Sequence, residues 1–168
     1  TKQLLDGILD RQVKATFFVT VEQAENSPEL IERMDEEGHL IGNHTYSHVQ
    51  LRPSNRDTFK EELIRTNQVI YDITGKETEY VRPPYGAWDK TFETELNMFP
   101  VLWTVDPLDW CSSNAGCIAR SILAKAGEND IILMHDEYES TVQAALMVVD
   151  QLLKEGYEFV TVDEILFD

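Results

Sequence analysis

The chain has 168 residues, 31 acidic and 14 basic, for a formal net charge of −17 at pH 7. That charge repels nucleic acid and anionic lipid surfaces, so neither is expected as a non-specific partner. With 42% hydrophobic and 27% charged residues the composition is that of a globular chain, not a disordered one, and no apolar run approaches the roughly 20 residues that cross a bilayer.

The length predicts a single domain over residues 1–168. No secretory leader or lipidation motif is visible, and the chain opens in mid-pattern. Cys111 and Cys117 are the only cysteines, and their spacing fits no zinc knuckle. A small-loop disulfide and two free thiols both remain open.

In chain order, apolar residues at 4, 5, 8 and 9 predict a helix over Lys2 to Arg11. Ala15 to Val19 is a short β-rich run, read as a buried strand. Ser27-Pro28 starts a helix that Gly38 ends. His39 to Gly42 reads as the next strand, and Gly42-Asn43-His44-Thr45-Tyr46-Ser47-His48 follows it. Pro53-Ser54 precedes a long helix, Arg56 to Thr74, with Phe59, Leu63, Ile70 and Ile73 on one side and Gly75 as the stop. Strands are predicted at Tyr80 to Arg82, Val101 to Thr104, Asp130 to Met134 and Glu158 to Thr161. Helices are predicted at Thr91 to Met98, Ile118 to Ala126 and Thr141 to Glu155, with a short one closing the chain. This alternation implies a largely parallel sheet covered by helices.

Polar clusters stand just after predicted strands: His44 and His48, Arg82 to Tyr85, Asp106 to Trp110, and His135-Asp136. In parallel α/β folds the strand C-termini share one face, where ligand chemistry collects. Read as a helical turn, the four-residue spacing of His44 and His48 puts both imidazoles on one face, suited to one cation. A zinc site needs about four ligands, so a third protein ligand, normally a carboxylate, is expected. His135 is placed to donate a proton, with Asp109 raising its pKa. Arg82 is placed to orient a carboxylate, and the backbone N–H of Tyr85 to meet an oxyanion. Trp110 and Leu133 are candidates for an apolar pocket wall. Each cluster also has a plainer reading. Arg82 would then tie down a surface carboxylate, Trp103 would be core, Trp88 an exposed platform or a helix-packing residue, and His39 structural or solvated. Asp136 would be a helix-entry residue, and Tyr46 and Tyr138 packing residues.

The ordered motifs make the chain resemble the polysaccharide deacetylase family, the carbohydrate esterases with a NodB-type domain, over nearly its whole length. Ala-Thr-Phe-Phe-Val at 15–19 is similar to the family's second strand, His-Thr-Tyr-Ser-His at 44–48 to its metal motif, and Arg-Pro-Pro-Tyr at 82–85 to its third motif. Asp-Pro-Leu-Asp-Trp at 106–110 and Leu-Met-His at 133–135 are similar to the fourth and fifth. The resemblance implies an α/β fold, a distorted (β/α) barrel, and metal-dependent removal of N-acetyl groups from an amino-sugar polymer. Peptidoglycan N-acetylglucosamine or chitin-type oligomers are the expected substrates. It implies that His44 and His48 bind a divalent metal, Zn²⁺ or Co²⁺ first, with Thr45 bracing their loop. Arg82 would hold the catalytic base, the Tyr85 amide would serve the oxyanion, and Asp109 would tune His135, the general acid. Trp110, Leu133 and Pro84 would contact substrate.

One departure stands out. The family's Thr-Phe-Asp-Asp-Gly motif, source of the base and a third ligand, should precede Lys2, and no Asp-Asp pair occurs in the chain. The expectation is a fragment lacking its first barrel strand, inactive alone. The alternatives are a catalytically inactive carbohydrate-binding domain on a degenerate fold and an O-acetyl (xylan) esterase. An extracellular or cell-surface location in a bacterium follows from the substrate class alone. The oligomeric state is left open.

Overall fold

Helices and parallel strands alternate along the chain in this structure, a computed structural model that describes residues 1–167. In order they are α1 (Lys2–Asp10), β1 (Thr16–Val19), α2 (Val21–Asn26), α3 (Pro28–Glu36), β2 (Leu40–Asn43), α4 (Arg56–Thr74), β3 (Tyr80–Val81), α5 (Thr91–Glu95), β4 (Phe99–Pro100), α6 (Ala115–Leu123), α7 (Glu139–Lys154) and α8 (Val162–Phe167). They fall into two compact units, Thr16–Leu102, and Thr1–Ala15 with the chain from Trp103 on. The expected α/β class with a parallel sheet is what the strands form.

In the Thr16–Leu102 unit the sheet runs β1-β2-β3-β4 in sequence order, every neighbour parallel. Parallel order sets the C-terminal ends of β2 and β3 side by side, and these ends lead into His44 and Arg82. Gly42 is needed within β2: a Cβ there would overlap the Phe18 ring and stand 3.2 Å from Tyr80 O. The long helix α4 keeps its predicted bounds, closed by Gly75 in the left-handed region (φ 70°) with its N–H bonded to Tyr71 O. Its Phe59 and Leu63, both fully buried, pack with Val81, Phe92 and Met98. At the rim, Arg56 bonds Asp89 and Glu95, tying the start of α4 to α5. The sequence reading passed over α2, although Thr20 and Gln23 form a capping box, a pattern visible as Thr-x-x-Gln.

The second unit is built on α7, which packs against α6 through Ile118, Ile122, Ala144, Val148 and Leu152. Helix α1 joins it by the Arg11–Asp150 ion pair and by the close seat of Gly7 against Leu146.

Several predicted strands are corrected here. Asp130 to Met134 forms a single parallel bridge, Val105 to Ile132, too short a ladder to count as a strand. Val101 to Thr104 begins two residues too late: the pairing lies at Phe99–Pro100, and Val101 adds only one bond to Val81 O. Glu158 to Thr161 is irregular, because Thr161 instead caps α8, its N–H and hydroxyl both meeting the Glu164 carboxylate. The helix at Thr91 stops at Glu95 instead of Met98. Among the described residues no helix is long and apolar enough to cross a membrane.

Candidate active site

The loop after β2 is not the helical turn that the His-x-x-x-His spacing suggests. Thr45 (φ 65°) and His48 (φ 58°) both lie in the left-handed region, which breaks any helical repeat. The imidazoles meet all the same, with ring centroids 4.8 Å apart. The loop backbone, not helical phase, brings the rings together.

His44 is half-buried and its Nδ1 lies 2.6 Å from Arg82 O. A carbonyl only accepts, so Nδ1 carries the proton and Nε2 carries the lone pair that a metal would use. The exposed His48 meets the Tyr85 ring in a T-shaped pair, centroids 5.3 Å apart. The loop's successive amides are tied down in turn. His44 N–H donates to Val19 O, Thr45 N–H to the Asn43 side chain, and Tyr46 and Ser47 N–H to Glu62. Asn43 is fully buried, its amide donating to Leu63 O and to the Asn67 side chain on α4. Thr45 Oγ1 is buried without a hydrogen-bond partner among the described residues.

Arg82 is buried across the Phe18 ring, 4.3 Å from its centroid, and donates to Val101 O and Leu102 O, each at 3.2 Å. Burial lowers its pKa to about 10, so it stays cationic at neutral pH. Its fixed pose and charge suit the anchoring of a carboxylate. In the turn that follows, Pro84 is buried while Tyr85 (φ 59°) is strongly exposed.

In the second unit, Asp109 is fully buried and accepts from three donors: His135 N–H at 2.7 Å, Thr141 Oγ1 at 2.9 Å and His135 Nδ1 at 2.8 Å. Burial pulls the Asp109 pKa up, but the hydrogen bonds from His135 and Thr141 outweigh it, and the net direction is down. The bond to Asp109 raises the His135 pKa against the opposing effect of burial. With Nδ1–H directed at Asp109, Nε2 is the nitrogen that carries or gives the working proton. Leu108 (φ 54°) turns the chain into Asp109, braced by the Asp106 carboxylate on its N–H. Trp110 is exposed, and Leu133 is buried with its N–H on Val105 O. Cys111 and Cys117 are free and exposed.

The chain thus groups His44, His48, Arg82, Pro84 and Tyr85 in one unit, and Asp109, Trp110, Leu133 and His135 in the other. Of the plainer readings, His39 is structural: it is buried edge-on to Phe17 and near Glu37. Trp88 packs on Phe92. Asn43, Glu62 and Thr141 were missed, since nothing local marks them as polar contacts to distant loops. Only the place of Glu62 beside the buried stripe of α4 hinted at an inward role.

The polysaccharide deacetylase family model matches residues 1–101. The chain belongs to this family. Relatives of this polysaccharide deacetylase chain include the peptidoglycan-N-acetylglucosamine deacetylase PgdA of Listeria monocytogenes, 36% identical over 98% of this chain and 35% of that protein. A Bacillus cereus peptidoglycan-N-acetylglucosamine deacetylase is 35% identical over 96% of this chain and 61% of its own length. The chain therefore spans between a third and two thirds of these relatives. The solved structure of the peptidoglycan deacetylase PdaC from Bacillus subtilis is 34% identical with a TM-score of 0.93, over 98% of this chain and 81% of that one. The fold is that of the family, as the motifs implied.

The donor chemistry fits a divalent ion in part. His44 and His48 offer imidazoles in contact, one with its tautomer set, about two of the four positions that zinc fills. The buried, unpartnered Thr45 hydroxyl lies in the loop between them. Among the described residues no group of three His, Cys, Asp or Glu side chains is gathered to hold a metal.

Proposed function

We propose that this chain carries out metal-dependent removal of N-acetyl groups from an amino-sugar polymer, with peptidoglycan N-acetylglucosamine as the first candidate. The observation that carries the reading is the His44–His48 pair, whose rings touch and whose Nδ1–H of His44 is held by Arg82 O. Family membership and the peptidoglycan deacetylases among the relatives give it support. When bound at these imidazoles, a divalent ion, Zn²⁺ or Co²⁺ by preference, supplies Lewis acidity toward the acetyl carbonyl and toward water.

The chain's own residues have the remaining roles. His135, whose pKa the bond to Asp109 raises, gives its Nε2 proton to the departing amine. The N–H of Tyr85 serves the oxyanion, and Arg82 orients the carboxylate that acts as base. Pro84, Trp110 and Leu133 contact the acetylated sugar. An extracellular or cell-surface location accompanies this substrate class.

The test is acetate release from N-acetylglucosamine oligomers and from peptidoglycan fragments with Zn²⁺ or Co²⁺ supplied. His135→Ala should lower the rate about 10²- to 10⁴-fold with metal content unchanged, and His44→Ala should lower metal content itself. Unchanged turnover in His135→Ala would remove the assignment, and release from acetylated xylan alone would move it to the O-acetyl esterases.

A further inference from the structure

We infer that Glu62 is a positioning residue that sets the geometry of the His44–His48 pair for metal binding, an inference that rests on the reading above. Its carboxylate accepts from Tyr46 N–H at 3.1 Å, Ser47 N–H at 3.1 Å and Ser47 Oγ at 2.7 Å. All the side-chain hydrogen bonds that Glu62 makes among the described residues go to this loop.

The contacts fall where the loop needs them. Thr45 and His48, on either side of the clamped residues, hold positive φ angles of 65° and 58°. Each such residue costs on the order of 1–3 kcal/mol and persists only where its surroundings over-determine it. Val19 O and Asn43 fix the loop up to Thr45. From Tyr46 to Ser47 the main-chain restraint comes from Glu62, and His48 follows directly. The lever is rigid, because Glu62 stands on α4 between the fully buried Phe59 and Leu63. The same helix holds the loop's other end through Leu63 O and Asn67, which bind Asn43, and Arg65 lies over the Tyr46 ring at 3.9 Å.

A carboxylate is the suitable group. It only accepts, and its two oxygens meet three converging donors. A glutamine could keep both main-chain bonds on its Oε1 and donate from its N–H₂ to Ser47 Oγ, which also accepts. Glu62→Met, of similar length and without an oxygen acceptor, removes the clamp with little change in volume.

The experiment measures Co²⁺ affinity and its visible spectrum together with amide hydrogen exchange, for wild type, Glu62→Met, Glu62→Asp and His44→Ala. Glu25→Gln serves as a charge control: Glu25 is an exposed neighbour paired with Arg65. Glu62→Met should weaken Co²⁺ binding about 10- to 100-fold, the range for partners that orient metal ligands. Exchange at Tyr46 and Ser47 should speed up, Glu62→Asp should recover part of the affinity, and Glu25→Gln should match wild type. A Glu62→Met protein that unfolds at lower temperature yet binds Co²⁺ as wild type shows a purely structural glutamate and overturns the inference. So does a result in which His44→Ala weakens Co²⁺ binding and Glu62→Met does not. If His44→Ala binds Co²⁺ as wild type does, the metal reading of the pair itself falls.

Discussion

His135 and Asp109 show how much one buried acceptor can set. Three donors converge on a carboxylate with no exposed surface, and the pKa values of the two partners move apart, Asp109 down and His135 up. The sign of the linkage follows. A raised imidazole pKa contributes stability that is complete below the ordinary histidine value and is lost as pH rises through the raised one. A lowered carboxylate pKa contributes stability that is present above the ordinary aspartate value and is lost as pH falls through the depressed one. The stability difference between wild type and Asp109→Asn should therefore peak between about pH 4 and 6.5 and shrink on either side. Thermal unfolding across that range checks it. In Asp109→Asn the His135 pKa, followed by NMR of the ring protons, should fall from its raised value toward the ordinary one. A His135 titration identical in the two proteins would show that Asp109 does not tune it.

At the scale of elements, the histidine loop is held between β2 and α4. Gly42 leaves room for Phe18, and Phe18 lies beneath Arg82. Gly42→Ala should force the Phe18 ring aside and cost roughly 1–3 kcal/mol, the usual range for overpacking. Calorimetry reads the cost, and a changed His44 ring environment in NMR reads the shift passed on through Arg82. Phe59→Ala empties the core under α4 and should cost about 3–5 kcal/mol, measured by denaturant unfolding. The long helix was legible because nineteen residues of consistent periodicity and a glycine stop point one way. The short strands were not. At Asp130 to Met134 an apolar run met a single bridging partner, and a run's character says nothing about how many partners it will find.

For the whole molecule, the net charge of −17 is a self-repulsion that salt screens. The unfolding temperature at neutral pH should rise between 20 and 200 mM sodium chloride, and a flat response would mean that the acidic groups are already compensated in the fold. The candidate residues stood out in the sequence because His44 and Arg82 directly follow short apolar runs, whose ends the parallel sheet sets side by side as β2 and β3, while Asp109 and His135 stood out by their motifs alone. The sequence by itself determined the class of fold, the family and the residue types of the site, since periodicity and motif order are local properties. The tertiary structure decided how those residues are held. Four of the seven non-glycine positive-φ residues among the described residues are Thr45, His48, Tyr85 and Leu108, each within or beside a candidate motif. That strain, the Glu62 clamp and the three donors on Asp109 arise from contacts between segments far apart in the chain, which no local pattern encodes.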